Sequence, residues 1–216
     1  MKKTIVTRSA NDKLYMIMKS FWNSENDFIK CQRFTGFNGA LEYLLHLFEG
    51  NTYNGFILNC DEDFFLTNES LVDAVIEQMK KDEFAYCGIP DGGVISHRNK
   101  SVFNVNPFFN VFNVDLIKTK FASFNNSKQF EYGNQVEKNA NLDEPFAGFF
   151  YWLHLNFKHA NFTNIESTDG ISTIIKINDK PMGIHSWYSR HYGIDEAQTL
   201  RIDNCIEWAL LNKQCK

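Results

Sequence analysis

The sequence predicts an α/β protein with a mixed, mainly parallel sheet flanked by helices. The first observation is its size and composition. It has 216 residues, of which 44% are hydrophobic and 22% charged, enough to bury the core of a globular domain. The second observation is that apolar strand-like segments alternate with amphipathic helical patterns over residues 1–93, which is typical of parallel strands joined by helices. We interpret residues 1–216 as a single domain with two halves, 1–93 and 94–216.

The elements of the first half follow from local patterns. Strands are predicted where β-branched, aromatic and aliphatic residues run together, and helices where apolar residues recur every three or four positions behind a capping side chain. The predicted strands are Thr4–Thr7, Phe28–Phe34, Phe56–Cys60 and Phe84–Ile89. The predicted helices run from a cap among Ser9, Asn11 and Asp12 to about Asn23, from Ala40 to Phe48, and from a cap at Asn68 or Thr67 to Lys81. Pro90-Asp91-Gly92-Gly93 predicts a turn.

After residue 93 the pattern changes to short strands joined by turns. The predicted strands are Val94–Ser96, Ser101–Val105, Phe108–Val114, Ile171–Ile177 and Met182–Tyr188. Helices are predicted from Glu144-Pro145 onward and from Asp195 to about Asn212, and the polar segment Asn125–Asn141 is predicted to be a loop.

Charge, cysteine content and hydropathy limit the partners and the setting. The net charge of −4 comes without a basic stripe, so we expect no nucleic-acid partner. Five irregularly spaced cysteines favour reduced thiols over disulfides or a zinc site. No segment reaches the ~20 apolar residues of a membrane-spanning helix. We therefore expect a cytoplasmic protein with no transmembrane segment.

Asp61-Glu62-Asp63 directly follows the apolar segment Phe56–Cys60. Ligands of open parallel sheets bind beyond the carboxyl ends of the strands, so these side chains are expected at the rim of a binding crevice. Two carboxylates one residue apart suit a hard cation such as Mg²⁺ or Mn²⁺ that also binds phosphate oxygens. The alternative is a solvated acidic turn.

This arrangement resembles the GT-A class of nucleotide-sugar glycosyltransferases, in which an Asp-x-Asp motif follows a buried strand. A second similar segment is Gly183-Ile184-His185-Ser186-Trp187-Tyr188-Ser189-Arg190, since many members carry a C-terminal His followed by an aromatic residue. The resemblance implies that Asp61 contacts the ribose and the metal, that Asp63 is the principal metal ligand and that His185 completes the site. It also implies that residues 1–93 bind the nucleotide and residues 94–216 the acceptor.

The resemblance implies further binding residues. Thr7, Arg8 and Asp12, at and after the end of the first strand, would shape the nucleotide pocket. Trp187 would offer a stacking surface, and Arg190 would donate to phosphate oxygens. Core packing for the aromatic ring and solvated surface positions for the charges are the alternatives.

Asp143 and Glu144 precede a predicted helix, where inverting GT-A enzymes place the general base that activates the acceptor. Their alternative role is to favour the helix dipole as N-terminal carboxylates. The stereochemical outcome stays open between inversion and retention.

The implied function is metal-dependent transfer of a sugar from a nucleotide-sugar donor to a glycan or lipid-linked acceptor. Bacterial polysaccharide biosynthesis and peripheral membrane contact are further expectations from the resemblance. One alternative is a non-catalytic GT-A-like module that binds a nucleotide or a protein, with Phe108, Phe109 and Phe112 as an exposed contact face. Another is a haloacid-dehalogenase-type phosphatase, with Asp61 as nucleophile and Asp63 as acid/base.

Overall fold

The computed structural model describes residues 1–32, 36–95, 105–124 and 145–213. The strands are β1 (Thr4–Ser9), β2 (Asp27–Gln32), β3 (Phe56–Cys60), β4 (Phe64–Leu66), β5 (Tyr86–Pro90), β6 (Val105–Asn113), β7 (His159–Asn161), β8 (Ile165–Glu166), β9 (Thr173–Ile177) and β10 (Lys180–His185). The helices are α1 (Asp12–Ser20), α2 (Gly36–Phe48), α3 (Glu69–Asp82), α4 (Val114–Phe124), α5 (Ala147–Asn156) and α6 (Glu196–Asn212), with a 3-10 turn at Ser189–His191.

The larger sheet has the strand order β2-β1-β3-β6-β5-β7. The pairs β1–β2, β1–β3 and β5–β7 are parallel, whereas β6 runs antiparallel to both of its neighbours. The predicted fold class, an α/β protein with a mixed and mainly parallel sheet flanked by helices, is confirmed. Because β1, β3 and β5 run in the same direction, the residues that follow these three strands lie at one edge of the sheet.

A second, antiparallel sheet has the order β4-β10-β9-β8. In it, Gly183 lies opposite Leu66, Ile184 opposite Phe65 and His185 opposite Phe64. This pairing attaches the C-terminal half of the chain directly to the residues that follow Asp61-Glu62-Asp63. The sequence predicts β10 but not its partner β4, because three residues are too few to show a periodic pattern.

Aromatic packing fills the core on both faces of the larger sheet. One cluster lies under α1, α3 and α6 and includes Phe64, Phe108 and Trp187. The other lies under α2, α4 and α5 and includes Phe48 and Trp152.

The prediction that Phe108, Phe109 and Phe112 form an exposed contact face is wrong. These side chains are at most 2% exposed. They lie on β6, a central strand that pairs with β3 and β5 and is covered on both faces.

Several boundaries differ from the sequence-based expectations. Val94 lies in a turn and Ile95 follows it, so neither forms the predicted strand, and residues 114–124 form α4 where the sequence predicts no helix. The predicted strand Met182–Tyr188 ends at His185, since the backbone turns sharply after it. Residues 101–104, the predicted loop 125–141 and the proposed bases Asp143 and Glu144 lie outside the described residues.

Two helices begin at a side-chain cap, which explains why local capping patterns predict where these helices start. The Asn68 side chain accepts a hydrogen bond from the Ser70 backbone at the start of α3, and Asp195 accepts one from Gln198 at the start of α6. Over the described ranges, no helix combines the length and the apolar character needed to cross a bilayer.

Gly183 is required for the contact between β10 and β4. A Cβ atom at this position would lie 2.5 Å from the Phe64 ring and 2.9 Å from the Phe65 carbonyl oxygen. Because the backbone oxygen cannot move without breaking the strand pairing, Gly183→Ala should lower the free energy of unfolding by about 2 kcal/mol. Urea denaturation would measure this loss. A Cβ at Gly170 meets nothing within 4 Å, so Gly170→Ala tests left-handed backbone strain alone and should cost about 1 kcal/mol. An equal loss in both variants would contradict the clash.

Candidate functional site

The carboxyl ends of β1 and β3 bring Arg8 and Asp61 together. The Arg8 Nη2 atom lies 3.6 Å from Asp61 Oδ1, and both side chains are largely buried. The guanidinium carbon lies 4.6 Å from the centre of the Phe146 ring and 5.2 Å from that of Tyr43. The Asp61 backbone N–H donates to the carbonyl of Phe108 on β6 at 2.7 Å. Two residues predicted for nucleotide binding are therefore neighbours held by the sheet and by aromatic stacking.

Asp63 and His185 are also brought together, although they lie far apart in the sequence. The His185 Nε2 atom is 3.2 Å from Asp63 Oδ1, and neither side chain is more than 5% exposed. The next residue, Ser186, donates its backbone N–H to the Asp63 carbonyl at 3.0 Å and its hydroxyl to Asp63 Oδ2 at 3.3 Å. Three contacts thus connect the end of β10 to Asp63.

Aromatic rings orient the His185 imidazole. The Phe108 ring stacks on it at 3.8 Å between centroids with the planes 8° apart, and the Trp187 ring lies 4.6 Å away. The His185 Nδ1 atom is buried and has no hydrogen-bond partner among the residues that the structure describes. A buried ring nitrogen without a partner is costly, so this atom is a site where a ligand or water would be stabilised.

Glu62 has a role that no sequence pattern indicated. Its Oε2 atom accepts hydrogen bonds from the backbone N–H groups of Ala10 at 2.8 Å and Asn11 at 3.0 Å. Asn11 is the N-cap of α1 and accepts from Leu14. Burial raises the pKa of Glu62, and the hydrogen bonds from Ser9, Asn11 and Ala10 offset only part of this rise. Glu62 therefore attaches the loop after β1 to the loop after β3, between the two aspartates of the motif.

At this edge of the sheet lies a buried row of amides, which no sequence pattern indicates. Asn59 on β3 donates to Asn110 Oδ1 at 3.3 Å, and Asn110 donates to the carbonyl of Asn106 at 3.1 Å. Asn106 in turn donates to Asp91 Oδ1 at 2.8 Å. The row connects β3, β6 and the end of β5, so the predicted turn at Asp91 lies at the same edge of the sheet as Asp61.

The remaining predicted binding residues are more dispersed. Thr7 is fully buried on β1, whereas the Asp12 side chain is 87% exposed and forms an ion pair with Lys30. Trp187 is buried and donates its indole N–H to Thr173 Oγ1 at 3.1 Å, and Arg190 is exposed in the 3-10 turn. The roles of these residues in nucleotide binding stay predictions.

The predicted metal ligands fit a divalent cation in part. Octahedral Mg²⁺ with bonds near 2.1 Å has neighbouring ligand atoms roughly 3.0 Å apart. The 3.2 Å between His185 Nε2 and Asp63 Oδ1 is close to this spacing. Within the described ranges, however, no group of three or more His, Cys, Asp and Glu side chains is arranged to hold a metal ion. The pair Asp63 and His185 would hold the cation, and Asp61 as a third ligand stays a prediction.

Comparison with known proteins gives a fold likeness only. No protein-family model matches the chain, and no curated protein matches it. Two crystal structures of the glycosyltransferase GlyE from Streptococcus pneumoniae TIGR4 are similar to the structure, each at 11% identity. One covers 76% of this chain and 46% of GlyE with a TM-score of 0.46, and the apo form covers 74% and 45% with a TM-score of 0.41. This chain matches less than half of the GlyE chain, and a likeness this weak carries no inference about activity.

Proposed function

We propose that this protein transfers a sugar from a nucleotide-sugar donor to a glycan or lipid-linked acceptor with the help of Mn²⁺ or Mg²⁺. The observation that carries the proposal is the contact between Asp63 and His185, at the edge of the sheet where Arg8 and Asp61 also meet. The Asp63 carboxylate and the His185 imidazole are side chains of the types that bind metals, and the Arg8 guanidinium and the Asp61 carboxylate meet at the same edge of the sheet. This combination suits a divalent ion together with a diphosphate.

Each residue has a chemical part in the proposed reaction. Asp63 and His185 would hold the cation, which neutralises the charge that develops on the diphosphate leaving group. Asp61 would accept hydrogen bonds from the ribose hydroxyls. Arg8 would donate to phosphate oxygens, and the rings of Tyr43 and Phe146 pack against its guanidinium and limit its freedom. A side chain positioned in advance loses less entropy when the donor binds.

The wider assignment extends this proposal. Asp12, Trp187 and Arg190 are the further donor-binding residues, and Asp143 or Glu144 is the base that activates the acceptor. Residues 1–93 would bind the donor and residues 94–216 the acceptor, within a single domain. A cytoplasmic setting, peripheral membrane contact and a role in bacterial polysaccharide synthesis belong to the same proposal.

A second candidate is a GT-A-like module that binds a nucleotide without transferring its sugar. The near-complete burial of Asp63 and His185 favours it, because a cation used in catalysis must also reach the substrate. The two candidates differ in whether the donor is cleaved.

A thermal-shift panel tests the proposal. UDP-, GDP- and CMP-sugars are each added with and without Mn²⁺ to the wild-type chain and to Asp63→Ala. We expect one nucleotide class to raise the melting temperature only with Mn²⁺, and this shift to disappear in Asp63→Ala. Absence of any metal-dependent shift, or an unchanged shift in the variant, would refute the proposal.

The stabilising donor is then incubated with the protein and Mn²⁺, and release of the free sugar or nucleotide is followed. Cleavage favours the transferase, and binding without cleavage favours the module. Hydrolysis of a generic aryl phosphate that is lost in Asp61→Asn would point instead to a phosphatase.

A further inference from the structure

The backbone after His185 is strained. Trp187 has a φ of 64° and Tyr188 a φ of 59°, so two consecutive residues with bulky side chains have a left-handed backbone conformation. This conformation is uncommon for side chains of this size and persists only where surrounding contacts enforce it. Such strain is common at functional sites, and here it lies two residues beyond the proposed metal ligand.

Arg201 on α6 supplies contacts that enforce this turn. Its Nη1 atom donates to the carbonyl of Ser186, and its Nη2 atom donates to the carbonyl of Trp187 at 2.8 Å. The guanidinium thus binds two consecutive carbonyls with a planar pair of donors, which a lysine cannot reproduce. Its Nε atom donates to Gln198 on the same helix at 3.0 Å.

Asp169 faces the Arg201 guanidinium from the loop before β9. Its Oδ2 atom lies 3.7 Å from Arg201 Nη1, and its Oδ1 atom accepts hydrogen bonds from Ser172 and Ile171. Burial raises the pKa of Asp169. The hydrogen bonds from Ser172, Ile171 and Ser167 lower it by more than burial raises it, so the net shift of the pKa is downward. A charged carboxylate therefore also holds the guanidinium, at the same Nη1 atom that donates to the Ser186 carbonyl.

The two carbonyls that Arg201 binds belong to the residues that contact the proposed metal pair. The Ser186 hydroxyl donates to Asp63, and the Trp187 ring packs beside the His185 imidazole. If the turn relaxed, Trp187 would move away from the imidazole and Ser186 from the carboxylate. The direction of His185 Nε2 toward Asp63 would no longer be held.

We propose that Arg201 is a positioning residue that sets the His185 imidazole and the Asp63 carboxylate for the divalent cation by holding the turn at residues 186–188. This inference rests on the proposed function for its metal readout. It adds a residue from the C-terminal helix to a site otherwise built from strand ends.

The experiment uses the full chain with Arg201→Gln, Arg201→Lys and Gln198→Ala, each checked for folding by circular dichroism. Gln198→Ala is the matched control, because it removes a partner of Arg201 and leaves the turn contacts in place. Mn²⁺ affinity is measured by electron paramagnetic resonance. We expect Arg201→Gln to weaken Mn²⁺ binding by about 10- to 100-fold, Arg201→Lys to recover it in part, and the control to match wild type.

A second readout keeps this inference separate from the proposed function. The histidine ring signals are followed by NMR in the metal-free variants, with His46 as an internal reference remote in sequence. We expect Arg201→Gln and Arg201→Lys to shift the His185 signals and to leave those of His46 unchanged. Failure of the wild-type chain to bind Mn²⁺ would refute the proposed function, and the His185 signals would then decide the positioning role. Unchanged His185 signals in a folded Arg201→Lys chain would overturn the inference.

Discussion

Replacing Asp63 by asparagine, or His185 by glutamine, should each lower Mn²⁺ affinity and metal-dependent donor cleavage by ~100-fold, and combining both changes should add little. The two side chains are 3.2 Å apart and buried together, so each loss removes half of the same proposed ligand pair. Groups that act as one unit give non-additive losses, because the second change has nothing left to remove. A double-mutant cycle on Mn²⁺ affinity and on donor hydrolysis measures this coupling.

The matched control is Asp82→Asn, which changes a partly exposed aspartate at the end of α3, outside the proposed site, and should behave as wild type. Circular dichroism checks that each variant is folded, since Asp63 also accepts the Ser186 hydrogen bond. Fully additive losses would mean that Asp63 and His185 act independently, and the shared cation would have to be abandoned. Wild-type Mn²⁺ affinity in both single variants would contradict the site itself.

The second large effect concerns stability, and we expect Lys3→Met to lower the free energy of unfolding by about 3 kcal/mol. The Lys3 ammonium is buried, 2.9 Å from Glu69 and 2.8 Å from Asp73. Asn26 and the backbone of Asn23 also donate to the Glu69 carboxylate. Removing the ammonium leaves a buried carboxylate without its cation, which costs more than a mere loss of contact. Urea denaturation at pH 7 measures the change.

Lys2→Met is the matched control one residue away. Lys2 is 62% exposed and pairs with an exposed Asp27, so this variant should stay within about 0.5 kcal/mol of wild type. Equal losses of unfolding free energy in the two variants would show that the burial of Lys3 does not cause the destabilisation.

The pH dependence of the Lys3→Met effect follows from Glu69. Burial raises the pKa of Glu69. Hydrogen bonds from Asn26, Lys3 and Asn23 and the charge of Lys3 lower it by more than burial raises it, so the net shift of the pKa is downward. A carboxyl whose folded pKa is lowered stabilises the protein above its unfolded pKa, and this contribution is lost as the pH falls through the folded value. The difference between Lys3→Met and wild type should therefore narrow as the pH falls from 7 to about 3. A constant difference over this range would contradict the ion pair as its cause.

Local chemistry determined much of the fold. The five-residue strand before Asp61, the alternation of strands and helices, and the caps Asn68 and Asp195 all depend on residues close together in the sequence. Side chains near in sequence act on the backbone whatever the rest of the chain does, so their patterns are legible without a structure. The placement of Asp61 at the carboxyl edge of a parallel strand followed from such patterns alone.

The wrong predictions came from sequence patterns whose interpretation depends on which other elements pack against the segment. Phe108, Phe109 and Phe112 are apolar in succession, and the succession does not distinguish a buried central strand from an exposed face. Helix α4 begins directly at the end of β6, with no proline or glycine between them to indicate the change.

The sequence by itself determined the mainly parallel α/β class and the acidic motif at the end of a buried strand. The tertiary structure alone decided that His185 meets Asp63, that Arg8 meets Asp61, that Glu62 holds the loop after β1 and that Arg201 binds the turn at residues 186–188. The physical reason is that these contacts join residues from separate elements, through the pairing of β1 with β3, the pairing of β10 with β4 and the packing of α6. Such long-range contacts arise from the packing of the whole chain, and they leave no periodic pattern in the residues that make them.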